Sequence, residues 1–124
     1  MSTHAYIGVE TEDGTIRAIY NHFDGYVEGV GFDLVNQFSL RREAAGLVED
    51  GDCLSPGNPF KNYPGEDWGI IKPRQHDNFD SFMKGKRQNA GHYAYLFRDN
   101  EWYIVVDGEL IPVTEKIAQM QKSG

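Results

Sequence analysis

His22, Asp24 and Tyr26 stand at alternate positions, so in an extended segment an imidazole, a carboxylate and a phenol would share one side, with Glu28 continuing the series. Such a set suits general acid–base catalysis, with Asp24 fixing the tautomer of His22, or hydrogen bonding to a polar ligand. The competing structural assignment makes Asp24-Gly25 the turn after a strand, has His22 cap a backbone carbonyl, and packs Tyr26 on a helix. No neighbouring residue completes a recognisable catalytic set, which favours binding over catalysis here.

Other chemistry is sparser. Gly25, Gly29 and Gly31 match neither G-x-x-x-x-G-K-[ST] nor G-x-G-x-x-G, and no lysine follows them. Glu28 and Asp33 would repel a phosphate at that place, so close packing of a helix on a sheet explains the glycines better. His4, His22, His76 and His92 lack the spacing of H-E-x-x-H, and no calcium-loop series is present, so neither a metal nor another cofactor is expected. His76 and His92 read as exposed loop and strand-start residues. The one cysteine, Cys53, excludes an intramolecular disulfide, and its neighbours Glu49, Asp50 and Asp52 carry the wrong charge to activate a thiolate.

Charge is unevenly placed. Residues 1–33 hold six carboxylates against Arg17, whereas residues 72–87 hold five cations against Asp77 and Asp80. Lys72, Arg74, Lys84 and Arg87, following a segment that contains Tyr63 and Trp68, could grip an anionic nucleotide by charge and ring stacking, or form a solvated face. The acidic part could instead meet a basic protein surface. The whole chain carries -7, from 12 basic and 19 acidic residues, which argues against general nucleic-acid or anionic-membrane binding and is modest for a mimic of DNA.

These residues must be positioned by one small domain spanning 1–124. Hydrophobic residues make up 40% and sixteen side chains are aromatic, enough to build a single core. No apolar run reaches the roughly 18 residues of a membrane span, and the first residues lack the features of a leader, so a cytoplasmic location is expected.

Residues 6–9 and 16–20, joined by Glu12-Asp13-Gly14-Thr15, predict a hairpin. Val27, Val30, Leu34, Val35 and Phe38 form a helical stripe, with the helix starting near Gly31. Ser39 is the expected cap of a second helix over 40–48. Residues 54–69 read as a long loop rich in proline, glycine and aromatics. Asn78 or Asp80 caps a short helix through Phe79, Phe82 and Met83, which the Gly85 to Gly91 stretch breaks. Residues 93–97, 102–106 and 109–113 predict a three-stranded meander, with Pro112 at an edge or strand end, before a final helix from Thr114 to about Gln121. The order predicts an α+β fold, a mainly antiparallel sheet of about five strands with helices packed on it. Its edges and aromatics would suit a homodimer.

Ile7-Gly8-Val9, Asp13-Gly14, Ile19-Tyr20, His22-Phe23-Asp24-Gly25-Tyr26 and Gly29-Val30-Gly31 form one pattern, and Tyr93-Ala94-Tyr95-Leu96-Phe97 with Trp102-Tyr103 a second. Together they cover about half the chain, and they resemble a family of small uncharacterised proteins of tailed bacteriophages and bacterial mobile elements. Phe23 stands where that family often has Trp, Asn21 where it often has Cys, and His4 where it often has Arg. The resemblance implies phage or mobile-element origin and an accessory role in a bacterial host cell, without a particular chemistry. The expected function is non-catalytic binding of a host defence or metabolic component, by blocking a host protein or sequestering a small nucleotide signal. The alternative is a small metal-independent enzyme acting on a nucleotide-like molecule through His22 and Asp24.

Overall fold

A computed structural model describes residues 3–59, 72–89 and 91–123. Strands β1 (Ala5–Glu10) and β2 (Ile16–Asn21) form the expected hairpin. Its turn is organised by Asp13, whose carboxylate accepts from the hydroxyls of Thr11 and Thr15 and from the Thr15 N–H, while Gly14 takes φ +87°. These bonds, led by that from Thr11, hold the Asp13 carboxyl down to about 2.

The described strands form one mixed sheet. Beyond the hairpin they are β3 (Cys53–Ser55), β4 (Asn58–Pro59), β5 (Arg74–His76), β6 (Tyr93–Arg98), β7 (Glu101–Val106) and β8 (Glu109–Pro112). Their order is β4-β3-β2-β1-β6-β7-β8, with β5 also paired to β2. This corrects the expectation of about five mainly antiparallel strands: the sheet has eight, and β1 runs parallel to β6 and β2 parallel to β3. Residues 5–9 are all buried, so β1 is covered on both faces and flanked on both edges. The added strands β3, β4 and β5 are only two or three residues long, too short for an alternating pattern to register. β3 and β4 also occupy the start of the segment read as loop, turning at Gly57 with φ +86°.

The β6-β7-β8 meander forms as predicted, with Asp99, Asn100, Asp107 and Gly108 all at positive φ in its two turns. Pro112 ends the outer strand β8, where its missing N–H costs no ladder bond.

Helices cover both faces. Ala5, Ile7, Val9, Ile19, Tyr95, Phe97 and Ile104 share a core with a π-helical turn (Val27–Gly31), α1 (Phe32–Gln37), α2 (Arg41–Glu49) and the start of α4 (Val113–Ser123). Tyr6, Ile16, Ala18, Ala94 and Leu96 face Phe82 of α3 (Phe79–Gln88) on the other side. Gly8 makes that contact feasible, since a Cβ there would lie 2.6 Å from the Phe82 ring.

Three helix limits differ from the sequence reading. Ser39 does not cap α2; the Glu43 carboxylate accepts from the Leu40 N–H at 3.0 Å and closes that end instead. Asn78 caps α3 by accepting from Ser81 N–H, yet the helix continues through Gly85 to Gln88. Gly85 does not break the helix because it is selected by packing: a Cβ would stand 2.7 Å from both the Tyr6 hydroxyl and the His76 ring. The last helix begins at Val113, which is buried, and runs to Ser123. No helix of the described residues is long and apolar enough to cross a membrane.

Candidate functional site

Strand register assembles a row of imidazoles. β1 pairs Ala5 with Asn21 on one side and with Tyr93 on the other. One residue before these pairs, His4 stands level with His22 and His92, and its ring stacks on both, with centroids 5.1 and 5.4 Å apart. The backbone continues the ladder, since the N–H groups of His92 and Tyr93 donate to the His4 carbonyl and the His22 N–H donates to the Cys53 carbonyl.

The partners fix the protons on His4 and His92. A carbonyl only accepts, so His4 Nδ1–H donates to the His22 carbonyl at 2.8 Å. The Tyr20 hydroxyl lies 2.9 Å from that same Nδ1, whose proton its oxygen faces, and 2.9 Å from His22 Nδ1. A backbone N–H only donates, so His92 Nδ1, 3.0 Å from the His4 N–H, is an acceptor. His22 is held below the ordinary histidine range, by burial first and by His4 second.

Asp24 and Tyr26 form a separate group. Asp24 takes φ 55°, which interrupts the alternation that would have put it beside His22. Asp24-Gly25 lies in the irregular segment after β2, anchored by Gly25 N–H on the Thr3 carbonyl and by the Tyr95 hydroxyl on the Gly25 carbonyl, both at 2.8 Å. A Cβ on Gly25 would lie 2.6 Å from the His4 backbone, so the close approach demands glycine. The Tyr26 hydroxyl donates to Asp24 Oδ1 at 3.1 Å, a bond that raises the phenol above its ordinary value.

Tyr26 and His92 both line a cavity of about 500 Å³. Val27, Tyr93, Ile104, Val106 and Met120 give it an apolar lining, and Tyr26, Glu28, His92 and Lys116 supply the polar groups. Its volume lies within the range of small-molecule sites. His92 and Lys116 carried no local signal for this role, because only the β1–β6 register and the packing of α4 bring them to Tyr26.

The basic residues are distributed differently. Arg74 forms a two-pronged ion pair with Asp52 at 2.7 and 2.9 Å, and Asp52, 5% exposed, also accepts from the Tyr20 N–H. Lys72, Lys84 and Arg87 are exposed; the last two belong to α3, on the opposite side of the sheet from α4. Tyr63 and Trp68 lie outside the described residues.

His76 is not an exposed loop residue. It belongs to β5 and is half-buried, with Nε2 2.7 Å from the Tyr6 hydroxyl and Nδ1 2.9 Å from the Ser81 hydroxyl, a link from sheet to α3. Burial, then Arg74, lowers its pKa, and burial pushes the Tyr6 phenol up to about 12. Cys53 is buried and its thiol donates to Asn21 Oδ1 at 3.3 Å; burial, with Asp52 second, pushes the thiol up.

Among the described residues, no group of three or more His, Cys, Asp or Glu side chains is arranged to hold a metal ion. In the histidine row the Nδ1 atoms are already committed to backbone and phenol partners. Among known proteins, no family model matches the chain, and no curated protein and no solved structure matches it either.

Proposed function

We propose that the chain is a non-catalytic binding protein, an accessory factor of phage or mobile-element type in the bacterial cytoplasm, that sequesters a small nucleotide-like host signal. The observation that carries this reading is the 500 Å³ cavity in which aromatic and apolar side chains stand beside Glu28, His92 and Lys116. An apolar body with a few polar anchors is what such a cavity recognises. The catalytic alternative through His22 and Asp24 gains less support: Asp24 bonds Tyr26, and His22 Nδ1 bonds the Tyr20 phenol.

The test passes the tagged protein through bacterial lysate and records a native mass spectrum of the retained species. A small molecule bound in stoichiometric amount and released intact on denaturation supports sequestration. A stoichiometric host protein on a chain with an empty cavity replaces it with the blocking mode, and conversion of excess ligand replaces it with an enzyme. The same spectrum reports whether the chain is a homodimer.

A further inference from the structure

Glu28 and Lys116 line the cavity with opposite charges. Among the described residues the ion pairs are Arg17–Glu49, Arg74–Asp52 and Arg98–Glu10, so neither of these two is neutralised by such a pair. Glu28 belongs to the π-helical turn, two residues after Tyr26 and its Asp24 partner, whereas Lys116 belongs to α4. The turn side of the cavity is therefore anionic and the α4 side cationic. A ligand seated there puts hydrogen-bond donors toward the turn and its negative charge toward α4.

A carboxylate accepts and does not donate, and its two oxygens take two parallel donors. Among the common nucleobases, guanine offers two adjacent donors on one edge, its ring N1–H and exocyclic N2–H. Adenine places its amino donor beside an acceptor nitrogen, which a carboxylate repels, and cytosine and uracil offer one donor each. On the reading that the cavity holds a nucleotide-like ligand, we infer that it selects a guanine nucleotide, with Glu28 accepting from the base edge and Lys116 pairing with the phosphate. Tyr26, Tyr93 and His92 supply the ring surfaces against which a base stacks.

The experiment is a calorimetric titration of the full chain with GMP, AMP and guanosine, repeated for Glu28→Gln and Lys116→Met, with circular dichroism confirming that each variant is folded. GMP should bind at least about tenfold more tightly than AMP, the worth of one two-pronged base contact. Glu28→Gln replaces two acceptors by one acceptor and one donor, a pattern that suits adenine, so the order of GMP and AMP should reverse. Lys116→Met should remove the advantage of GMP over guanosine. Equal binding of GMP and AMP, unchanged by Glu28→Gln, overturns the guanine assignment and leaves nucleotide sequestration standing. Absence of binding by every nucleotide, while a non-nucleotide ligand is retained from lysate, overturns both.

Discussion

The backbone N–H of His4 donates to Nδ1 of His92 at 3.0 Å, so a main-chain group dictates the protonation pattern of a ring 88 residues away that also lines the cavity. Together with the His4 bond to the His22 carbonyl, it fixes the tautomers at two of the three imidazoles. At about pH 8, two-bond imidazole ¹H–¹⁵N correlations should show His4 as the Nδ1–H form and His92 as the Nε2–H form. A protonated Nδ1 on His92 would mean that the bond from His4 is not kept in solution.

Two histidines give folding a pH dependence of definite sign. His22 and His76 are both lowered from 6.5, chiefly by burial, so the unfolded chain binds their protons more readily than the folded one. Their contribution to stability is complete above about 6.5 and is lost as the pH falls from there through the folded values. The melting temperature should drop between about pH 7.5 and 5.5, and His22→Gln with His76→Gln should flatten that slope. Asp13, held down to about 2, acts only in a much lower window and leaves this range clear. An equally steep slope in the double variant would refute the assignment.

Packing around α3 rests on the missing side chain of Gly8. A Cβ there would stand 2.6 Å from Phe82 Cε1 and 2.7 Å from Ile16 Cγ2, and neither ring nor branched chain has a flexible end to withdraw. Gly8→Ala should therefore cost about 1–3 kcal/mol in urea unfolding. Phe82→Leu alone removes a fully buried ring and also destabilises, yet the two together should cost less than their sum, because the smaller side chain admits the new methyl. Strict additivity would show that the two residues do not press on one another.

What was legible in the sequence divides by range of interaction. The hairpin at Asp13-Gly14 and the meander are local, written in turn residues and two-residue alternation, and both were found, while the cap of α3 was narrowed to Asn78 or Asp80, of which Asn78 serves. The parallel β1–β6 pairing joins residues almost ninety positions apart, and nothing local marks it except the unbroken apolar run of β1. Gly85 was misread because packing against Tyr6 and His76 overrides its low helix propensity. At the candidate site, the spacing named Tyr26, which stands at the cavity wall, whereas Asp24 leaves the alternation at φ 55°. The His4–His22–His92 row and the place of Lys116 depend on register and on the docking of α4, which no local pattern encodes.

The Asp52–Arg74 pair ties β5 to the segment before β3, and its two ends differ in exposure: the Arg74 side chain is 35% exposed and that of Asp52 only 5%. Removing the arginine strands a buried carboxylate that retains the Tyr20 N–H as a donor, so desolvation is left largely uncompensated. Solvent reaches the guanidinium, which keeps the expected loss below that of a fully buried pair. Arg74→Met should cost about 2–3 kcal/mol in denaturant unfolding. Adding Asp52→Asn removes the stranded charge while its amide oxygen can still accept from Tyr20, so the double variant should recover part of that loss. If Arg74→Met shifts stability by less than about 0.5 kcal/mol, the pair behaves as an ordinary surface bridge. In that case Asp52 is held by its backbone bond alone.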